Sequence, residues 1–205
     1  MDSKTYIQNA IRTESIISSI EIDDPVQFHS VVESFIITST LLDLYKKNIF
    51  YGKPIDKTKW DTLAQRLIDQ SKNLTGGKYI HLTKPKTLTI DPRVFHAIVG
   101  IATESGELVE AMQPAWRGDA VPLDYVNLSE EVGDLNWYQA ILIDATGADW
   151  DDIRDTNIAK LKNRYPDKFD SDLAINRNLE SERAILEGAD TSQNLIQYPD
   201  VEERN

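Results

Sequence analysis

Apolar side chains recur at three- and four-residue intervals through most of the chain, the period of a helix with one buried face rather than the alternation of a strand. Tyr6, Ile7, Ala10, Ile11, Ile17 and Ile20 mark a first helix. Asp24-Pro25 supplies a capping carboxylate followed by proline at the first helical position, and Phe28, Val31, Val32, Phe35, Leu41, Leu42 and Tyr45 then form one stripe running toward Gly52. Trp60, Leu63, Leu67 and Ile68 define a third helix that Gly76-Gly77 ends. The same cap and proline return at Asp91-Pro92, opening a helix through Val94, Phe95, Ile98, Ile101, Leu108 and Met112 that stops by Pro114. A further helix is expected from about Tyr125 to Ala145, ending before Gly147. Another starts after Asp149, with Asp151, Asp152 and Asp155 early and Lys160, Lys162 and Arg164 late, as the helix dipole favours. A last one covers about Asn178 to Leu186.

The pattern predicts an all-α bundle with at most a short extended segment near 78–90, where Thr87, Leu88, Thr89 and Ile90 follow Lys84-Pro85-Lys86. Residues 1–187 read as a single domain, with N-terminal helices over 1–90 and a core over 92–187. Residues 188–205 read as a polar tail without periodicity.

Composition narrows the function. Among 205 residues, 34 are acidic and 22 basic, giving a net charge of -12 and a pI near 4.7. Nucleic-acid affinity comes mainly from Lys and Arg displacing counterions, so a general nucleic-acid partner is not expected. There is no cysteine, which excludes disulfides and thiolate metal sites. No stretch is long and apolar enough to span a membrane, and Asp2, Lys4 and Arg12 break up any leader, so the protein is expected to be cytoplasmic, in the host cytoplasm if it is viral.

The chemistry lies in a repeated segment. Thr103-Glu104-Ser105-Gly106-Glu107-Leu108 and Glu130-Glu131-Val132-Gly133-Asp134-Leu135 each carry two carboxylates three residues apart, with Gly before the second and Leu after it. The second segment lies 27 residues after the first, enough for one helix to finish and an antiparallel partner to follow. Residues i and i+3 share a helix face, so the two helices would bring Glu104, Glu107, Glu131 and Asp134 into one pocket. Both segments set their acids among apolar residues. Four close carboxylates repel, and burying them unpaired is costly, so the arrangement calls for a cation; all-oxygen ligands select Mg²⁺ or Mn²⁺. The paired glycines are expected to mark close backbone approach. A di-iron bundle would need a His three residues after a Glu, and none is present. The residues Asp149-Trp150-Asp151-Asp152-Ile153 lack the Gly and Glu of a calcium-binding EF-hand loop.

These two acidic segments, followed by Asn157-Ile-Ala-Lys160-Leu-Lys-Asn-Arg164-Tyr165-Pro166-Asp-Lys-Phe169, resemble the MazG-like branch of the all-α nucleoside triphosphate pyrophosphatases. The resemblance spans about residues 92–187. Arg12-Thr13-Glu14 is similar to the start of longer members, bacteriophage ones included. It implies hydrolysis of a (deoxy)nucleoside triphosphate between the α- and β-phosphates, giving monophosphate and pyrophosphate, with Mg²⁺ (or Mn²⁺) and a role in dNTP pools. It also implies Glu104, Glu107, Glu131 and Asp134 as metal ligands and catalytic groups, and a homodimer or homotetramer. Many members have a further Glu where this chain has Thr103.

Water activated by the metal would attack the α-phosphorus, a motif carboxylate taking the proton. Asn157, Lys160 and Arg164 share one helix face suited to the leaving pyrophosphate, and Tyr165 adds a hydroxyl. His96, Trp116, Trp137 and Tyr138 are candidate stacking partners for a base, Arg117 is a loop candidate, and His29 and His81 read as surface or packing residues. The competing reading is a non-catalytic helical nucleotide- or metal-binding or assembly module.

Overall fold

A computed structural model describes residues 1–75, 86–114 and 122–188. Among them are eight α-helices: α1 (Ser3–Ala10), α2 (Pro25–Tyr51), α3 (Lys57–Thr75), α4 (Pro92–Ala111), α5 (Tyr125–Thr146), α6 (Trp150–Arg164), α7 (Ser171–Ile175) and α8 (Leu179–Leu186). The all-α expectation holds. Of the expected extended segment near 78–90, residues 78–85 lie outside the described residues; in the remainder β2 (Lys86–Thr87) pairs antiparallel with β1 (Glu21–Ile22). No described helix is long and apolar enough to cross a membrane.

The expected start signals work as capping chemistry. Asp24 accepts from the backbone N–H groups of Val26 and Gln27, and Asp91 from those of Arg93 and Val94 at 2.7 and 3.3 Å; each precedes a proline at the first turn, whose missing N–H costs nothing there. Asp124 opens α5 in the same way, without proline. α2 and α5 end on Gly52 and Gly147, both at φ +68°, in the left-handed region that only glycine adopts cheaply.

Two elements differ from what the sequence predicts, each for a physical reason. The first helix stops at Ala10 and passes through a 3₁₀ turn, Ile11–Thr13, instead of reaching Ile20. The Thr13 hydroxyl donates to the Ala10 carbonyl at 2.9 Å, and Glu14 is drawn to Arg93 beyond the turn. Helix α7 was not expected; five residues are too few to show a period, and Asp170 caps it by accepting from the Leu173 N–H.

The chain divides into two compact units. One holds Met1–Ser18, the described part of Thr89–Lys160, and the stretch from Glu180 to residue 188. Its core gathers Ala10, Ala140, Ile143 and Trp150, with Tyr6, Ile7, Trp137 and Ile153 packed around them. The other holds the described part of Ser19–Leu88 and Leu161–Leu179. There α2 packs on α3, burying Ile37, Leu63 and Ser30, and the Asn73 side chain donates to the Ser30 hydroxyl at 3.2 Å.

A carboxylate site between two antiparallel helices

Helices α4 and α5 form the most extensive helix pair of the first unit. Their register is legible in three contacts: Arg93 meets Asp144, Gly100 meets Tyr138, and Glu104 and Glu107 meet Glu131. Numbers rise on one helix as they fall on the other, so the pair is antiparallel. Ala97, Gly100, Ala140 and Ile141 are buried.

The acid pairs meet at the α4 C-terminal half. Glu104, Glu107 and Glu131 each place a carboxylate oxygen within 4.8 Å of the others. Asp134 does not join this group at that distance; it stands one turn further along α5. Glu131 is only 7% exposed, Glu104 half-buried and Glu107 exposed. Burial holds the Glu131 carboxyl above the usual range, and the negative charges of Glu107 and Glu104 push it further the same way. A group so placed is eased either by a proton or by a cation.

The donor set suits a hard divalent ion. Three carboxylates converge, with no His and no sulfur ligand among them, and nothing cationic among the described residues ion-pairs with them. Thr103 turns its hydroxyl to the Gly100 carbonyl at 2.9 Å and lies 3.4 Å from a Glu104 oxygen.

The paired glycines do not do what the sequence suggested. A Cβ built on Gly106 or Gly133 meets nothing within 4 Å, and both residues are exposed, so neither marks close backbone approach. The glycine that matters is Gly100, one turn before Glu104. A Cβ there would lie 2.1–2.4 Å from three atoms of the Tyr138 ring. A glycine in mid-helix costs about 1 kcal/mol relative to Ala, which was the available signal, but its cause is a residue far along the chain.

The aromatic candidates divide. His96, Trp137 and Tyr138 pack edgewise on one another, with centroids 4.8–6.0 Å apart. The Trp137 indole N–H is shared between the Ala10 carbonyl and the Thr13 hydroxyl at 3.1 and 3.0 Å, which makes it a structural strut rather than a stacking platform. Trp116, Arg117 and His81 lie outside the described residues. His29 lines a mostly apolar cavity of about 220 Å³ in the second unit, with Phe28, Val32 and Leu88. A cavity of about 240 Å³ in the first unit is bounded by Tyr6, Asn136, Trp150 and Arg154 but not by the three carboxylates; its Arg154 already stacks on Trp150 and pairs with Asp151.

Asn157 and Lys160 belong to the first unit and Arg164 and Tyr165 to the second. Lys160 forms no ion pair among the described residues. The Arg164 guanidinium lies over the Tyr165 ring, 5.6 Å from its centre, and Tyr165 packs on Phe169.

Sequence reading missed a clasp that steadies the site's scaffold. Arg93 donates through Nε and Nη2 to both carboxylate oxygens of Glu14, at 2.7–3.0 Å, and through Nη2 to Asp144 at 2.7 Å. Glu14 is only 2% exposed. Those hydrogen bonds hold the Arg93 proton more tightly than usual, against the opposing effect of burial. The partners stand 79 and 51 residues apart, so no local pattern reveals them.

Residues 96–169 match the family description MazG nucleotide pyrophosphohydrolase domain. No curated protein and no solved structure matches the chain. The matched segment takes in α5, nearly all of α4, all four motif acids and the Asn157–Tyr165 block, and over it the chain is similar to the MazG nucleotide pyrophosphohydrolase domain.

Proposed function

We propose that the protein is a metal-dependent (deoxy)nucleoside triphosphate pyrophosphohydrolase, cleaving the α–β phosphoanhydride bond to give the monophosphate and pyrophosphate, with a role in controlling dNTP pools. The observation that carries the reading is the convergence of Glu104, Glu107 and Glu131 on one point between α4 and α5, with Glu131 buried. Those three would hold Mg²⁺ or Mn²⁺, and Asp134 completes the set of catalytic and ligand residues. When bound, the ion supplies charge neutralisation, phosphate polarisation and a more acidic water.

The chain's own residues do the rest. α4 and α5 fix the carboxylates before substrate arrives, so little reorganisation is needed during reaction. As the attacking water forms its bond to the α-phosphorus and the bond to the bridging oxygen breaks, one of the motif carboxylates takes the water's proton. Asn157 and Lys160 are assigned to the departing pyrophosphate; Arg164 and Tyr165 carry the same assignment on the strength of their place in the motif.

Self-association as a homodimer or homotetramer is part of the proposal. Its support is α2, where Val31, Phe35, Leu42, Ile49 and Phe50 are 46–70% exposed, a large apolar surface for a helix in water.

Incubation with each nucleoside and deoxynucleoside triphosphate plus Mg²⁺ or Mn²⁺, followed by product separation, tests the reaction. Monophosphate and pyrophosphate are expected. Diphosphate and phosphate would mean the wrong bond, and no product from any nucleotide would overturn the enzymatic reading in favour of a binding module.

A further inference from the structure

The carboxylate site has a chemical gap. Its converging groups are all acceptors, while a nucleotide's phosphates are acceptors as well. A cation bridges some of those oxygens, and any other needs a donor. Tyr138 is placed to be one. Its ring occupies the slot that Gly100 opens on α4, one turn before Glu104, and Tyr138 itself stands one turn after Asp134 on α5. The ring is fixed on its other sides by His96, centroids 5.4 Å apart, and Trp137, at 4.8 Å.

The hydroxyl is unspent among the described residues. No described residue forms a hydrogen bond with it. It remains a neutral donor: burial raises its pKa above the ordinary phenol value, and the charges of Glu104, Asp134 and Glu107 act in the same direction. A lysine in this place would be drawn into ion pairs with the carboxylates and compete with the cation; a phenol would not.

We propose that Tyr138 contacts the substrate, donating its hydroxyl hydrogen to a non-bridging phosphate oxygen of the nucleotide, and that position 100 is glycine to admit the ring that carries this hydroxyl. The proposal rests on the nucleotide reading of the site. It removes Tyr138 from the candidates for base stacking, since the ring is packed against Gly100, His96 and Trp137.

The test compares wild type with Tyr138→Phe, which keeps the ring and its slot. Three quantities are measured: Mn²⁺ affinity, affinity for the four α,β-methylene deoxynucleoside triphosphates in Mg²⁺, and kcat/KM for the matching substrate. A hydrogen bond to a charged oxygen predicts that the analogue affinity and kcat/KM fall about tenfold, with Mn²⁺ affinity kept within about twofold. Gly100→Ala, with helix content checked by circular dichroism, is expected to lose analogue affinity too, because the ring must leave its slot.

Unchanged analogue affinity in Tyr138→Phe overturns the proposal. So does a parallel loss of Mn²⁺ affinity, which would mean that the hydroxyl serves the carboxylates and not the nucleotide. If wild type binds an analogue but cleaves no triphosphate, the hydrolase reading fails while the affinity ratio still decides the role of Tyr138. If wild type binds none of the analogues, both fall.

Discussion

The two helix pairs of this protein break the inside–outside rule in opposite directions. In α4–α5, a carboxylate is turned inward: Glu131 is 7% exposed, faces two more acids, and has no basic partner among the described residues. In α2–α3, apolar groups are turned outward: Ile49 and Phe50 are 69% and 70% exposed, while the charges there are paired conventionally, Glu33 with Arg66 and Asp43 with Lys46 and Lys47. An inward charge without a counterion is a demand for a cation, hence a chemical site. An outward apolar surface is a demand for cover, hence an association surface. The same fold element thus serves two ends, and the direction of the violation tells which.

The largest expected effect separates acids of the two pairs. Glu131→Gln should lower kcat by about 10³-fold or more, since a ligand contribution of several kcal/mol is lost. Glu33→Gln, which removes an acid from a pair whose arginine is half in solvent, should leave kcat within about twofold. Steady-state kinetics on the purified variants decides it; comparable losses in both would erase the distinction.

Next comes stability. Arg93→Ala strands the buried Glu14 carboxylate and should cost about 2 kcal/mol, discounted because Arg93 is 28% exposed, lowering Tm by roughly 4–8 °C. Arg66→Ala, whose side chain is 51% exposed, should cost less than about 1 kcal/mol. Thermal unfolding followed by circular dichroism gives both values under one set of conditions.

The α2 surface supplies the third contrast. Leu42→Gln combined with Ile49→Gln should shift the molecule toward a smaller species in size-exclusion chromatography with light scattering, whereas Val132→Gln on α5 should not. A wild-type monomer at all concentrations would remove the association role of α2.

The smallest effect is electrostatic. Without metal, the folded protein holds the Glu131 proton more tightly than the unfolded chain does, so Glu131 favours the folded state as pH is lowered through its raised value. That gain is complete below the ordinary glutamate value of 4.5 and is lost as pH rises. The stability difference between wild type and Glu131→Gln should therefore drift against wild type as pH increases toward neutrality, and saturating Mg²⁺ should reverse the drift.

What the sequence makes legible follows from the range of the interactions. Helix starts at Asp24-Pro25 and Asp91-Pro92 and stops at Gly52 and Gly147 are local chemistry, and each stands in the structure where the residues call for it. The acid pairs are also local, because i and i+3 share a face, and three of the four acids meet. Contacts between distant residues were not legible. Gly100 needs Tyr138 to explain it, and Glu14 needs Arg93; in their absence the eye falls on Gly106 and Gly133, which repeat in sequence but touch nothing. The overlong first helix failed for the same reason, since what draws the chain off after Thr13 is an arginine on α4.

Whether the α4–α5 carboxylates hold a divalent cation, as proposed, is decided by titrating the protein with Mn²⁺ and reading the bound fraction by electron paramagnetic resonance. Wild type is expected to bind Mn²⁺ in competition with Mg²⁺, Glu107→Gln and Glu131→Gln to lose most of that affinity, and Glu33→Gln to bind as wild type. Equal Mn²⁺ affinity in wild type and Glu131→Gln would contradict the claim.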